Sequence, residues 1–376
     1  MVANLPGWAS MVPGTSLRLH CTGVCLICVS LAVFFVFYGG DQKLAVKRHA
    51  GFPKANQTQQ QSKPVTILFW TKAFGDYLEP LSDADSGLVS YNCSVPCFLT
   101  RDRSLIRSAD AVVIHERDAD GNDLPRYRAE HQRWVYWNKE APPNCHPEKM
   151  ASLRGVFNWT YTYRRDSDVP HPYFFVRSVA HPRTAPPAEY TPALDQSRLV
   201  VWVTSHCRTS SRRETFVDEL RKHMAVDAFG SCGNLACPPN EDCFARIGER
   251  YYFYLALENA VCRDYVTEKL YNALHYGMVP VVMGRYSASL APPGSCIDAL
   301  QFASPERLAA YLKAVAADPT QYAAYFAWKK THEVRSHKFE DHCVLCEALS
   351  RARPDERKTY EDIIEWWHGN GSACEQ

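Results

Sequence analysis

What most constrains this chain is a set of short, nearly continuous apolar runs. They are Val65–Trp70 (VTILFW), Ala111–His115 (AVVIH), Trp134–Trp137 (WVYW), Leu199–Thr204 (LVVWVT), Val226–Gly230 (VDAFG), Tyr251–Leu257 (YYFYLAL) and Val279–Met283 (VPVVM). Runs this short, rich in β-branched and aromatic residues, suit strands buried on both faces of a parallel sheet; a strand with one wet face would alternate. Helical patterns near Arg213–Met224, Thr267–His275, Pro305–Ala317, Tyr322–Lys330 and Asp355–Trp367 accompany the later runs. Pro182–Pro192 carries four prolines and reads as a linker. The pattern predicts an α/β protein of two doubly wound, Rossmann-like halves facing a cleft.

Charge narrows the partners. Forty-two Lys+Arg stand against 41 Asp+Glu, a net charge of +1, so a nucleic-acid partner is not expected. The 15 cysteines argue against a reducing compartment. Cys21–Gly40 is an uncharged 20-residue stretch, long enough to cross a bilayer as one helix. Residues 41–63 are polar and end in a glutamine run, as a stem would. Lys43, Lys47, Arg48 and Lys54 follow the span and only Arg18 precedes it, which by the positive-inside rule favours a lumenal N-terminus. Against this, the sequons at Asn56, Asn92, Asn158 and Asn370 and 12 of the cysteines all lie downstream. The sequence therefore predicts a single-pass type II membrane protein with its bulk in the secretory lumen. The expected division is tail 1–20, signal-anchor 21–40, stem 41–63, first α/β domain 64–190, second α/β domain 191–346 and helical tail 347–376.

Three Asp-x-Asp strings, Asp83/Asp85, Asp118/Asp120 and Asp166/Asp168, could hold a divalent ion on a diphosphate. All three read as acidic surface turns, so no metal is expected to be essential. Cys343-x-x-Cys346 has no second pair at zinc-site spacing and reads as disulfide-forming.

The richest stretch is Phe253–Gly284, FYLALENAVCRDYVTEKLYNALHYGMVPVVMG. It is a strand ending in Glu258-Asn259, a polar loop, a helix with Thr267 as its expected N-cap, and a second strand. Strand ends and helix N-termini of this kind hold anionic ligands, with Lys269 suited to a diphosphate and Glu268 to ribose hydroxyls.

This stretch resembles the donor-binding segment of the α-1,3-fucosyltransferases, glycosyltransferase family 10. The resemblance extends to RDRSLIRSADAVVIHERD (Arg101–Asp118), QRWVYWNKEAPPNC (Gln132–Cys145), FNWTYTYRRDSDV (Phe157–Val169), VWVTSHC (Val201–Cys207) and HCVLC (His342–Cys346). It implies a GT-B fold in a type II Golgi membrane protein, and an inverting enzyme that takes fucose from GDP-β-L-fucose without a required cofactor or metal. The acceptor it implies is a GlcNAc of glycoprotein glycans, core or antennal. By the resemblance, Glu140 is the general base. Arg213, Asn259, Tyr265, Glu268 and Lys269 bind the donor, with Arg212 an alternative to Arg213. His115 and Arg117 lie on the acceptor side. Cys343 and Cys346 bridge to Cys93 and Cys97 in an order the sequence leaves open. Cys207, Cys232, Cys237, Cys243, Cys262 and Cys296 form a second group. Lys139, Ala260, His206 and Glu116 depart from the usual family residues. A lumenal lectin-like protein without catalysis and a metal-dependent hexosyltransferase are the competing classes. The oligomeric state is not legible.

Overall fold

The computed structural model describes residues 63–73, 88–90, 93–184, 198–237, 242–336, 342–353, 355–369 and 373–375. The expected tail, span and nearly all of the stem lie outside these residues, as do Asn56, Asn92, Asn370 and Asp83/Asp85. Among the described residues no helix is long and apolar enough to cross a membrane. Gln61–Gln376 forms one compact unit.

That unit holds two largely parallel sheets. The first contains β1 (Val65–Phe69), β2 (Leu88–Ser90), β3 (Cys97–Thr100), β4 (Ala111–His115), β5 (Arg133–Asn138), β6 (Trp159–Thr162) and β7 (Val169–Pro170), in the order β2-β3-β1-β4-β5-β6-β7. Only the edge strand β2 runs antiparallel to its neighbour. After β8 (Phe174–Ser178) comes the second sheet: β9 (Val200–Val203), β10 (Val226–Phe229), β11 (Phe253–Leu255), β12 (Val279–Val282) and β13 (Ile297–Asp298). Its order is β10-β9-β11-β12-β13, all parallel. β14 (His332–Ser336) pairs antiparallel with β8 as a separate ribbon.

The apolar runs are continuous because both faces of each sheet are covered. Val200, Trp202, Leu255 and Val281 pack against Val217 and Leu220 of the helix Arg213–Arg221 and Leu308 and Leu312 of the helix Pro305–Ala317. The alternate residues Val201, Tyr254 and Val282 pack on Leu270, Ala273 and Leu274 of the helix Glu268–His275. Each sheet also reverses its winding once, between β1 and β4 and between β9 and β11. In open α/β sheets such switch points open a crevice at the carboxyl ends of the strands.

The chain's C-terminus departs from the expected linear division. Leu345 and Cys346, assigned in sequence to the second domain, pack under the first sheet with Ile67, Val113, Val135 and Trp137. Ile363 and Trp367 cover its other face with Ile114, Tyr136 and Phe157. The expected helix Asp355–Trp367 is helical only over Ile363–His368. Two disulfides, Cys93–Cys343 and Cys97–Cys346, fasten this return and supply the order the sequence left open. The second group pairs as Cys207–Cys232, Cys237–Cys243 and Cys262–Cys374, leaving Cys145 and Cys296 as thiols.

Candidate active site

The β9/β11 switch point opens into a cleft of about 430 Å³ lined by Thr204, Ser205 and His206 after β9, Arg213, Asn259, and Glu268, Lys269 and Asn272 of the helix Glu268–His275. Four of the five residues predicted to bind the donor thus converge there. Arg213 opens its helix and is 2% exposed, whereas Arg212 before it is exposed in a left-handed conformation, φ 52°. The turn between them sends Arg213 into the wall and Arg212 to solvent. Arg213 Nη1 donates to Leu257 O at 2.6 Å, and Nη2 donates to Thr204 Oγ1 at 2.9 Å and His206 O at 3.1 Å. Among the described residues, Arg213 Nε and Asn259 Oδ1 are buried with no hydrogen-bond partner. Leaving such atoms unmade costs about 1–3 kcal/mol each, a cost that a bound ligand with matching groups removes.

Behind the wall lies a residue to which the sequence reading gave no role. Glu258, buried, accepts from Thr267 N–H at 2.7 Å and Thr267 Oγ1 at 2.9 Å, and its Oε2 is 3.2 Å from Lys269 Nζ. Thr267 occupies the expected N-cap position, but its hydroxyl serves Glu258 and not the helix. Lys269 Nζ also lies 3.0 Å from Glu268 Oε1. Burial acts to lower the Lys269 ammonium, but the two carboxylates outweigh it and hold it above its ordinary value. Burial raises the Glu258 carboxyl, and Lys269 opposes that rise.

Tyr265 does not line the cleft. It is buried among aromatic rings, 5.0 Å from Tyr163 and 6.4 Å from Tyr173 between centroids. Of the residues expected to bind the donor, Tyr265 thus stands apart from the cleft lining: the same motif supplies both cleft residues and the aromatic wedge behind them.

Glu140 stands just past β5, on the first sheet, and is half-buried outside that lining. Its N–H donates to Asn138 Oδ1 at 2.8 Å, and its Oε2 accepts from Asn144 Nδ2 at 3.0 Å. Lys139 points elsewhere, its Nζ donating to His171 O at 2.6 Å and Pro172 O at 3.2 Å and lying 4.5 Å from the Tyr173 ring centre. Burial pulls the Lys139 ammonium down to about 7, with Glu268 opposing. Tyr173 joins the two sites. Its hydroxyl donates to Lys139 O at 2.5 Å, and its phenol is pushed well up by burial, then by Glu268, then by Glu140.

The acceptor-side pair separates. His115 is fully buried with Nδ1 2.6 Å from Asp118 Oδ2, which makes it a core residue and corrects its predicted role on the acceptor side. Arg117 is exposed and borders a groove with Asp120, Asn122 and Lys149. Asp120 caps a short turn through Asn122 N–H, Asp166 pairs with Arg164, and Asp168 accepts from Thr160 and Tyr360. Asn158 accepts from Trp134 N–H at 2.9 Å and donates through Nδ2 to Lys358 O at 2.8 Å.

Residues 62–174 match the family model "Fucosyltransferase, N-terminal", and residues 193–366 match "Glycosyltransferase family 10 (fucosyltransferase) C-term". The chain is 34% identical over 332 residues to α-(1,3)-fucosyltransferase C of Drosophila melanogaster, covering 80% of this chain and 77% of that protein. It is 35% identical over 317 residues to α-(1,3)-fucosyltransferase 7 of Rattus norvegicus, covering 81% and 80%. A crystal structure of an α1,3-fucosyltransferase with GDP shares the fold at TM-score 0.51 and 14% identity, covering 83% of this chain and 96% of that one. The chain belongs to glycosyltransferase family 10, the fucosyltransferases, and is a glycosyltransferase.

Proposed function

We propose that this protein is an inverting α-1,3-fucosyltransferase that moves L-fucose from GDP-β-L-fucose to a GlcNAc hydroxyl of a glycoprotein glycan. The observation that carries the donor assignment is the switch-point cleft, with Arg213 Nε and Asn259 Oδ1 unpartnered beside Lys269. A diphosphate supplies acceptors for the two cations, and a sugar hydroxyl supplies a donor for Asn259. The acceptor hydroxyl attacks the anomeric carbon on the face opposite GDP. Glu140 takes its proton as the new C–O bond forms, and the bond to the β-phosphate breaks. Negative charge then grows on that phosphate, where the fixed charges of Arg213 and Lys269 stabilise it.

Incubation of the chain from residue 64 with GDP-fucose and defined N-glycans, followed by linkage analysis, tests this reading. It requires α-1,3-linked fucose on GlcNAc and one GDP released per transfer; transfer of another sugar, or none, overturns it. Complete loss in EDTA would favour the metal-dependent class. The lumenal, type II Golgi placement rests on the apolar span, the stem and the downstream cysteines. Expressed in animal cells, the full chain should lose mass on N-glycosidase treatment and resist alkaline carbonate extraction. An unshifted band would refute a lumenal placement.

A further inference from the structure

We propose that Asn144 is a positioning residue for Glu140: it holds one carboxylate oxygen so that the other is presented to the acceptor hydroxyl. The inference rests on the reading of Glu140 as the base. Glu140 Oε2 accepts from Asn144 Nδ2 at 3.0 Å, and Oε1 has no such partner among the described residues. A free carboxylate rotates about its last torsion; one fixed oxygen removes that freedom and aims the second.

The surrounding chain is built to hold this geometry. Ala141 and Pro142 are buried, and Pro142–Asn144 forms a single 3-10 turn in which Asn144 N–H donates to Ala141 O at 2.9 Å. The turn returns Asn144 to Glu140 four residues after it. Beneath it, Asn138 is fully buried, accepts the Glu140 N–H, and donates from Nδ2 to Tyr136 Oη at 3.0 Å and Cys145 Sγ at 3.1 Å. Trp367 Nε1 donates to the same sulfur at 3.2 Å. The main chain is thus fixed from below and the carboxylate from the side. Asn138 is too deeply embedded for a clean test, since its removal strands several buried partners. Asn144 is half-buried, and its amide can be removed with less damage.

A double-mutant cycle of Glu140→Gln and Asn144→Ala, read by kcat, KM for GDP-fucose and melting temperature, tests the inference. Asn144→Ala should lower kcat roughly 10- to 100-fold, the range for a lost hydrogen bond to a charged group. KM for GDP-fucose should hold within about twofold, because the donor cleft is untouched. In the Glu140→Gln background the same change should have little further effect, because Asn144 acts only through Glu140. A crippled Glu140→Gln enzyme beside a fully active Asn144→Ala enzyme would overturn the inference alone. So would multiplicative losses in the double mutant. A fully active Glu140→Gln enzyme would remove the base and this inference together.

Discussion

Lys269 Nζ and Glu258 Oε2 lie 3.2 Å apart at the wall of the cleft, the carboxylate buried and the ammonium turned toward the open side. Glu258 lies just past β11 and Lys269 in the first turn of the next helix, so this pair fixes the cation relative to the loop after β11 before any ligand arrives. Removing Lys269 should therefore do two things. Lys269→Ala should weaken GDP binding, and it should also destabilise the fold by about 3–5 kcal/mol, because Glu258 keeps a buried charge without its partner. The double variant Lys269→Met/Glu258→Gln should recover most of that stability but none of the GDP affinity. Thermal denaturation and calorimetric titration separate the two effects. If both variants melt alike, the pair does not have this role.

Arg212 and Arg213 should behave as opposites. Arg212 sits at φ 52° with its side chain in solvent, a conformation that glycine adopts without strain. Arg212→Gly should leave GDP binding unchanged and keep or raise stability by up to about 1 kcal/mol. Arg213→Ala should weaken GDP binding and strand Leu257 O and Thr204 Oγ1. Equal loss of GDP affinity in both would contradict the placement of Arg213 in the cleft.

Much of this organisation is legible in sequence, and what is not has physical causes. The central strands read well because both their faces are buried, so composition alone betrays them. β8 (FFVRS) and β14 (HEVRS) mix apolar residues with exposed charges such as Arg177 and Arg335, so neither shows the continuous apolar run of a central strand. Residues near Tyr360 stay extended because Tyr360 N–H donates to Phe157 O and its hydroxyl reaches Asp168, tertiary contacts that override helical pattern. At the site, motif resemblance named Arg213, Asn259, Glu268 and Lys269, and the fold brings all four to one cleft. The resemblance did not reveal that Tyr265 turns inward, which follows from packing on Tyr163 and Tyr173 far away in the chain, or that Glu258 anchors Lys269, which depends on how the loop between them folds back.

Lys139 should leave a signature in the pH dependence of stability. Its ammonium is buried and pulled down to about 7, so between that pH and its unfolded value the unfolded chain binds more protons than the folded one. Stability should then rise with pH over this window, by up to about 1.4 kcal/mol per pH unit from this group alone. Lys139→Met should flatten that rise and be more stable than the parent near pH 7. Denaturant melts of both proteins from pH 7 to 10 provide the check; parallel curves would contradict a depressed Lys139.

The disulfides Cys93–Cys343 and Cys97–Cys346 should be strongly non-additive. Either alone closes a loop of about 250 residues, but with one intact the other closes only roughly eight. In the chain-entropy account a single removal costs roughly 2–3 kcal/mol and removal of both roughly three times as much. Equal increments for the first and second removal would contradict this.

The central claim is that the donor cleft on one sheet and the base on the other perform one displacement. The most direct measurement is Glu140→Gln assayed in parallel for GDP binding and for fucose transfer. The account predicts GDP affinity within about twofold of the parent and transfer lowered about 10²- to 10⁴-fold, the range for a lost general base. Near-normal transfer, or loss of GDP binding in step with activity, would contradict it.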